Sequence, residues 1–205
     1  MSDLQRVGPV FGGTGTAPPF TSDITGAQRT ADAHGRYTDA ATRQQIFFAA
    51  SQAATTWSVA LTATYTGLVI SNPPNSGRNL AMLQAGFALS VAPAGIASVG
   101  FIAGWAATGV TAHTTPLVPL SSYLNQDTAT GVAKADGAAT IVGTPRWVGQ
   151  FLGGFTAAAL FATSPSVIDL GGIYIVPPGS YFGIGALTAV VGFASLVWEE
   201  LPILQ

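Results

Sequence analysis

Apolar residues in this chain occur in short runs, and most runs end at a cluster of prolines and glycines. Thr66–Ser71 is followed by the segment Asn72–Gly77, and Ile173–Val176 is followed by Pro177–Ser180. Proline cannot donate a hydrogen bond to a β-ladder, and Pro, Gly, Asn and Ser together favour turns. Many short strands divided by such turns are typical of a β-sandwich or a jelly roll.

The strand pattern begins near Gln45. Thr55–Thr62 alternates polar and apolar residues, as a half-buried strand does. We predict a mainly β fold, a jelly-roll-like antiparallel β-sandwich with two packed sheets from about Ile46 to Trp198. Asp39–Ala54, rich in Ala, Arg and Gln, is the best helix candidate, so we expect at most one short helix before the sheets. The long polar stretch Thr111–Asp136 predicts an exposed loop or an assembly contact.

The first 43 residues differ from the rest, because Gly8–Pro19 carries breaker residues at most positions. Six of the sixteen charged residues fall between positions 23 and 43. We predict an extended N-terminal arm over residues 1–43, mobile when free and ordered when docked, and a β-sandwich domain over 44–205. A disordered tail is the alternative. The residues expected to contact a partner are Val10, Phe11, Phe20, Ile24, Arg36, Tyr37 and Arg43.

Charge is scarce in this chain. Only 8% of the residues are charged, against about 25% in an average soluble protein. A surface with so little charge is suited to being covered by identical copies or by another protein. We therefore expect a homo-oligomer, with a trimer as the first expectation, although a weakly charged monomer is the alternative. Seven scattered Lys and Arg residues cannot neutralise a run of phosphates, so we expect no nucleic-acid partner.

The absence of charge from Asn79 to Gln126 raises the alternative of a membrane protein. Leu80–Val110 is long enough for a spanning helix, which needs about 20 apolar residues. It is interrupted by Pro93 and five glycines, and Lys/Arg clusters do not flank it. We therefore expect no membrane partner. The first residues lack a basic segment followed by an apolar one, which predicts no signal peptide and synthesis in the cytoplasm.

Few residues suggest chemistry. The two histidines, His34 and His113, lack acidic residues at metal-ligand spacing, and there are no cysteines. Glu199 and Glu200 are the one adjacent acidic pair, but neighbours on a strand point to opposite faces, so we expect a solvated strand end. We predict no catalytic residue, no cofactor and no metal, and hence no enzyme.

Glycines and tryptophans are more simply structural. Gly183 and Gly185 lack the remaining residues of a phosphate loop and are expected to relieve crowding in a packed strand. The tryptophans are expected to anchor the core or an interface, with a sugar-binding platform as the alternative. They are Trp57, Trp105, Trp147 and Trp198.

Several short motifs resemble those of virion structural proteins of tailed bacteriophages. They are Ala31–Tyr37, Ile46–Phe48, Thr66–Leu80, Val176–Tyr181 and Val197–Glu200. The resemblance implies a capsid decoration (cement) protein, a class often built as trimeric jelly rolls on the outer shell, with no catalytic residues to carry over. The implied partners are copies of the chain and the major capsid protein, and the implied location is the capsid surface. The alternative is a phage fibre, spike or other tail-associated component that binds host surface carbohydrate.

Overall fold

The computed structural model describes residues 21–22, 28–29, 37–51, 54–57, 64–91, 93, 97–105, 110–113, 115–124, 131–141, 143–155 and 166–203. Its contacts divide the chain into two units, Met1–Asp39 and Ala40–Gln205. In the first unit, strands β1 (Thr21–Ser22) and β2 (Gln28–Arg29) pair antiparallel. The sequence suggests a boundary after Arg43 instead, and the extended arm stays a prediction.

The described residues of the second unit lie mostly in strands. Its elements, with the helix that begins just before it, follow in chain order: α1 Thr38–Thr42, β3 Ile46–Ala50, β4 Thr55–Trp57, β5 Thr64–Ser71, β6 Arg78–Leu89, β7 Ala97–Trp105, β8 Val110–His113, β9 Pro116–Leu117, β10 Leu120–Ser121, β11 Lys134–Ile141, β12 Arg146–Phe155, β13 Ser166–Asp169, β14 Ile175–Val176, β15 Ser180–Ala186 and β16 Val190–Pro202.

These strands form two antiparallel sheets. Sheet I has the order β10-β3-β16-β6-β13, with β4 also paired to β16 and β14 also paired to β6. Sheet II has the order β12-β7-β15-β5-β11-β8, with β9 also paired to β11. The predicted mainly β, antiparallel sandwich is therefore confirmed, with one short helix among the described residues.

Alternation along the strands creates the core between the two sheets. Trp198 of β16 is buried, and its ring lies 6.2 Å from that of Phe47 in β3. Ile70 and Phe182 of sheet II belong to the same buried cluster. Burying one such side chain is worth roughly 1.5–3 kcal/mol. The shared cluster shows that the sheets pack face to face.

Sheet II also buries apolar residues on the face that points away from this core. Tyr65, Val69, Ile102 and Tyr181 form a second cluster there, with Ile141 beside them. They alternate along their strands with the core residues, because successive side chains point to opposite faces. All five are almost fully buried, so this face of sheet II is covered.

Two tyrosines of the second cluster lie over glycines. A side chain at Gly104 would clash with the hydroxyl of Tyr181. A Cβ at Gly67 would lie 2.5 Å from the hydroxyl oxygen of Tyr65, and Gly67 has a φ of +146°. Burial raises the pKa of both Tyr65 and Tyr181.

The predicted helix over Asp39–Ala54 is wrong in extent. The helix covers Thr38–Thr42, and Ile46–Ala50 forms a strand of sheet I. Ile46, Phe47 and Ala49 are buried there. Their burial between β16 and β10 outweighs the weak helix preference of the local sequence.

The predicted exposed loop over Thr111–Asp136 is also wrong in part. It contains β9, β10, most of β8 and the first residues of β11. Asp136 is buried, and its Oδ1 accepts hydrogen bonds from the backbone N–H of Thr115 (3.0 Å) and of Ala138 (2.8 Å). Short strands such as β9, which begins at Pro116, add to a sheet edge with little local signal.

The uncharged stretch Leu80–Val110 does not form a helix where it is described. It supplies most of β6 and all of β7, and β8 begins at its last residue. Across the described residues, no helix has the length and apolar character needed to cross a membrane.

Candidate functional site

Most of the contact residues predicted from the sequence lie outside the described residues. This applies to Val10, Phe11, Phe20, Ile24 and Arg36. Of the other two, Tyr37 is half-buried just before α1 and Arg43 is exposed just after it. Their partner contacts therefore stay predictions.

The side of sheet I that points away from the core is called here the outer face. Even-numbered residues of β16 from Val190 to Glu200 are buried, so the odd-numbered ones point outward. Residues paired directly across strands share a face. The outer face therefore contains Val191, Phe193, Ser195, Val197, Glu199 and Leu201 of β16, Ile46, Phe48 and Ala50 of β3, Thr56 of β4, Leu120 of β10, Asn79, Ala81, Gln84, Gly86 and Ala88 of β6, Val167 and Asp169 of β13, and Ile175 of β14.

Apolar side chains dominate this outer face. Val167 is 61% exposed and Phe193 is 42% exposed, and Ile175 and Leu201 are also exposed. Only two of the outer-face residues carry a formal charge, Glu199 and Asp169, and both are acidic. The outer face is therefore a mainly apolar sheet surface, and electrostatic repulsion between two copies of the chain that meet through it would be weak.

The sequence of β16 itself contains a signal for this surface. Val190–Trp198 is apolar at most outward as well as inward positions of β16. A strand covered on both faces has such a continuous apolar run, whereas a strand with one solvated face alternates. Val167 and Ile175 lie in short strands with no comparable local signal.

The adjacent carboxylates do not share a site. Glu199 lies on the outer face, whereas Glu200 points inward and is 1% exposed. The Glu200 carboxylate accepts hydrogen bonds from the backbone N–H of Val132 (2.9 and 3.0 Å) and of Ala133 (3.1 Å). The prediction of opposite faces is correct, but the predicted solvated strand end is wrong for Glu200, because this carboxylate binds a chain segment.

A groove opens at one end of the sandwich, between the edge of sheet II and the segment that leads into β14. Its volume is about 730 Å³, and its lining includes Trp105, Thr144, Arg146, Val148, Tyr174 and Ile175. Trp105 is 70% exposed. Of the other tryptophans, Trp57 and Trp198 are in the core as expected, and Trp147 packs against the second cluster.

The remaining sequence candidates form no reactive centre in the described part of the chain. His113 lies in β8, and His34 is outside the described residues. Among described positions, no three His, Cys, Asp or Glu residues come together as a metal site. Gly183 does relieve crowding, because a Cβ there would lie 2.7 Å from Cγ2 of Val69.

Comparison with known proteins gives no relative, since no family model, curated protein or solved structure matches this chain.

Proposed function

We propose that the protein is a non-enzymatic structural subunit of a virus particle, a capsid decoration subunit that assembles with its own copies and with the major capsid protein. The observation that carries the proposal is the apolar outer face of sheet I, with Val167, Ile175, Phe193 and Leu201 exposed. Several exposed apolar side chains on one face of a sheet favour a complex that covers them.

The order of the strands supports the same role. Sheet I contains β3, β16, β6 and β13 in that order, and sheet II contains β5, β15, β7 and β12. Along the chain, most connections between these eight strands cross from one sheet to the other. We infer a jelly-roll connectivity from this order, and viral capsid domains are one class built on jelly rolls.

The carboxylates give further support for a structural role. Glu200 and Asp136 are buried and accept backbone hydrogen bonds. A buried carboxylate that accepts backbone hydrogen bonds helps to hold the fold together.

The size of the outer face limits what it can do alone. Covering four side chains that are already about half-buried contributes roughly 3–6 kcal/mol. Association of two proteins costs about 4–15 kcal/mol in lost freedom. The outer face therefore gives weak self-association unless a second contact adds to it. Repetition of weak contacts around a symmetric shell can supply this, and so can an arm that reaches a neighbour.

Sedimentation of the full chain at micromolar concentrations tests the proposal. We expect an oligomer that Phe193→Lys and Val167→Lys dissociate, because each places a charge on the covered face. Leu187→Lys is the matched control, since Leu187 is 46% exposed but lies in the turn between β15 and β16. A wild-type monomer, or an oligomer that all three variants leave intact, would contradict assembly through the outer face.

A second role has one observation in its favour. The groove beside Trp105 favours the alternative of carbohydrate binding, because the exposed indole is a surface on which a sugar can stack.

A further inference from the structure

We propose that the groove beside Trp105 binds an acidic saccharide, with a sugar ring stacked on the Trp105 indole and its carboxylate paired with the Arg146 guanidinium. The groove shares Ile175 with the outer face of sheet I, but Trp105 and Arg146 lie outside that face, so the proposal does not depend on the assembly role.

Trp105 provides the stacking surface. It is the last residue of β7 and is 70% exposed at the rim of the groove. Tryptophan side chains normally bury a large area, so one left open beside a cavity is a typical contact for a ligand. The flat indole suits the apolar face of a sugar ring, and the ring's hydroxyls stay in water.

Arg146 provides the charge. It is exposed at the start of β12 and pairs with Ala103, two positions from Trp105 along β7. Diagonal neighbours of this kind have backbone positions about 7–8 Å apart, within reach of two long side chains. The Arg146 guanidinium makes no hydrogen bond or ion pair with any described residue, and the described residues that line the groove include no acidic one. Such a guanidinium attracts a carboxylate, which it can bind through two parallel hydrogen bonds.

The wall opposite β7 is preformed. The Tyr174 hydroxyl donates to the backbone carbonyl of Val148 at 3.3 Å, which ties the segment before β14 to β12. The Tyr174 ring also lies 5.4 Å from that of Phe182 and 5.9 Å from that of Phe101. The groove volume of about 730 Å³ is within the range of small-ligand sites, about 300–1,000 Å³.

The rest of the lining suits a sugar better than an apolar ligand. Thr144 is exposed on the lining, and its hydroxyl can donate and accept hydrogen bonds to sugar hydroxyls. Ile175 and Val148 exclude water beside the stacked ring. An acidic side chain from a second copy of the chain could pair with the same guanidinium. The experiment below distinguishes such a subunit contact from binding of a saccharide.

The test is a glycan array probed with the full-length protein, followed by calorimetric titration of the strongest ligand. The array carries sialyl- and uronate-terminated oligosaccharides beside counterparts that lack the acidic residue. We expect binding to acidic members only. Trp105→Ala and Arg146→Gln should each weaken binding about tenfold or more, the loss expected for a hydrogen-bonded charge pair or a stacked ring.

Two exposed residues outside the groove provide matched controls. Tyr123→Ala removes an aromatic side chain and Lys134→Gln removes a cation, and both should keep wild-type binding. Equal binding to neutral and acidic glycans, or no binding to any acidic glycan, overturns the proposal. Binding that Trp105→Ala and Arg146→Gln leave unchanged also overturns it. If instead Arg146→Gln only dissociates an oligomer, the groove is a subunit contact and the saccharide site is wrong.

Discussion

Glu200 ties together two parts of the chain that are far apart in sequence. Its carboxylate accepts hydrogen bonds from the backbone N–H groups of Val132 and Ala133, while its own backbone N–H donates to the carbonyl of Gln45 at 2.8 Å. The Trp198 indole N–H also donates to Oε1 of Glu200, at 3.4 Å. One buried side chain thus positions the segment just before β11 against the end of β16.

We expect Glu200→Gln to lower the free energy of unfolding by about 1.5–3 kcal/mol. The amide oxygen is a weaker hydrogen-bond acceptor than the carboxylate. In addition, the new amide N–H₂ is a donor that faces the backbone N–H donors of Val132 and Ala133. Urea unfolding followed by circular dichroism measures this. Glu199→Gln is the matched control on the outer face and should stay within about 0.5 kcal/mol of wild type. Equal effects of the two substitutions would show that the Glu200 contacts do not stabilise the fold.

The two glutamates also show what residue-level reasoning can predict. The period-two geometry of a strand correctly separates Glu199 from Glu200. It cannot show that Glu200 is buried, because its hydrogen-bond donors lie 67 and 68 residues away. Only the packing of the folded chain brings them together. The exposure of Trp105 is likewise set by the end of the sandwich and not by its neighbours in sequence.

The close contact of Tyr65 with Gly67 can be tested by substitution. Gly67→Ala should destabilise the protein by about 2–5 kcal/mol, because the methyl group meets the Tyr65 ring and the backbone has a positive φ. Gly77 also has a positive φ, but no atom lies within 4 Å of its Cβ position. Gly77→Ala should therefore cost only the backbone strain, about 1–2 kcal/mol. Thermal unfolding of both variants separates the clash from the strain, and similar costs would contradict the close contact of Tyr65 with Gly67.

At the level of elements, β5 and β15 carry tyrosines into the covered face of sheet II. Burial raises the pKa of Tyr65 and Tyr181 above the value near 10 of a tyrosine in an unfolded chain. Above about pH 10 the unfolded state releases these protons while the folded state keeps them. Stability is therefore unaffected by these groups at neutral pH and falls as the pH rises beyond 10.

We expect Tyr65→Phe to move the midpoint of alkaline unfolding to a higher pH, since the variant has no proton to lose at that position. Circular dichroism across an alkaline pH series gives the midpoint. Tyr123→Phe, at an exposed position, should leave it unchanged. A midpoint that moves equally in both variants would assign the alkaline transition to other groups.

Strands bounded by clusters of proline and glycine could be predicted from the sequence. Short strands that form only because they pair with a neighbouring strand could not. The breaker clusters at Asn72–Gly77 and Pro177–Ser180 separate β5 from β6 and β14 from β15 as expected. By contrast, β9 and β10 are two residues long and exist because β11 and β3 offer unpaired edges. Such strands leave almost no trace in the local sequence.

The sequence indicates two sheets but does not indicate which strands pair within them. Alternation shows which face of a strand is buried, yet it contains no information on which strand lies beside it. The pairing of β16 with both β3 and β6 joins residues more than a hundred positions apart. The outer face and the groove both depend on those pairings, so neither could be located before the strand order was known.

The N-terminal segment is the second part of the chain that we expect to take part in assembly. The outer face alone contributes too little for stable association, so we expect residues 1–43 to supply a second contact with a neighbouring copy. Phe11 and Phe20 are its large apolar anchors, and burying each contributes roughly 1.5–3 kcal/mol before the cost of ordering the backbone. Deleting residues 1–30 removes β1 and β2 but should keep the two sheets of the second unit folded by circular dichroism, and it should weaken self-association about tenfold or more by sedimentation velocity. The double substitution Phe11→Ser and Phe20→Ser should reproduce most of that loss, whereas Thr14→Ser in the same segment should not. If the deletion leaves self-association unchanged, the segment is a passive tail.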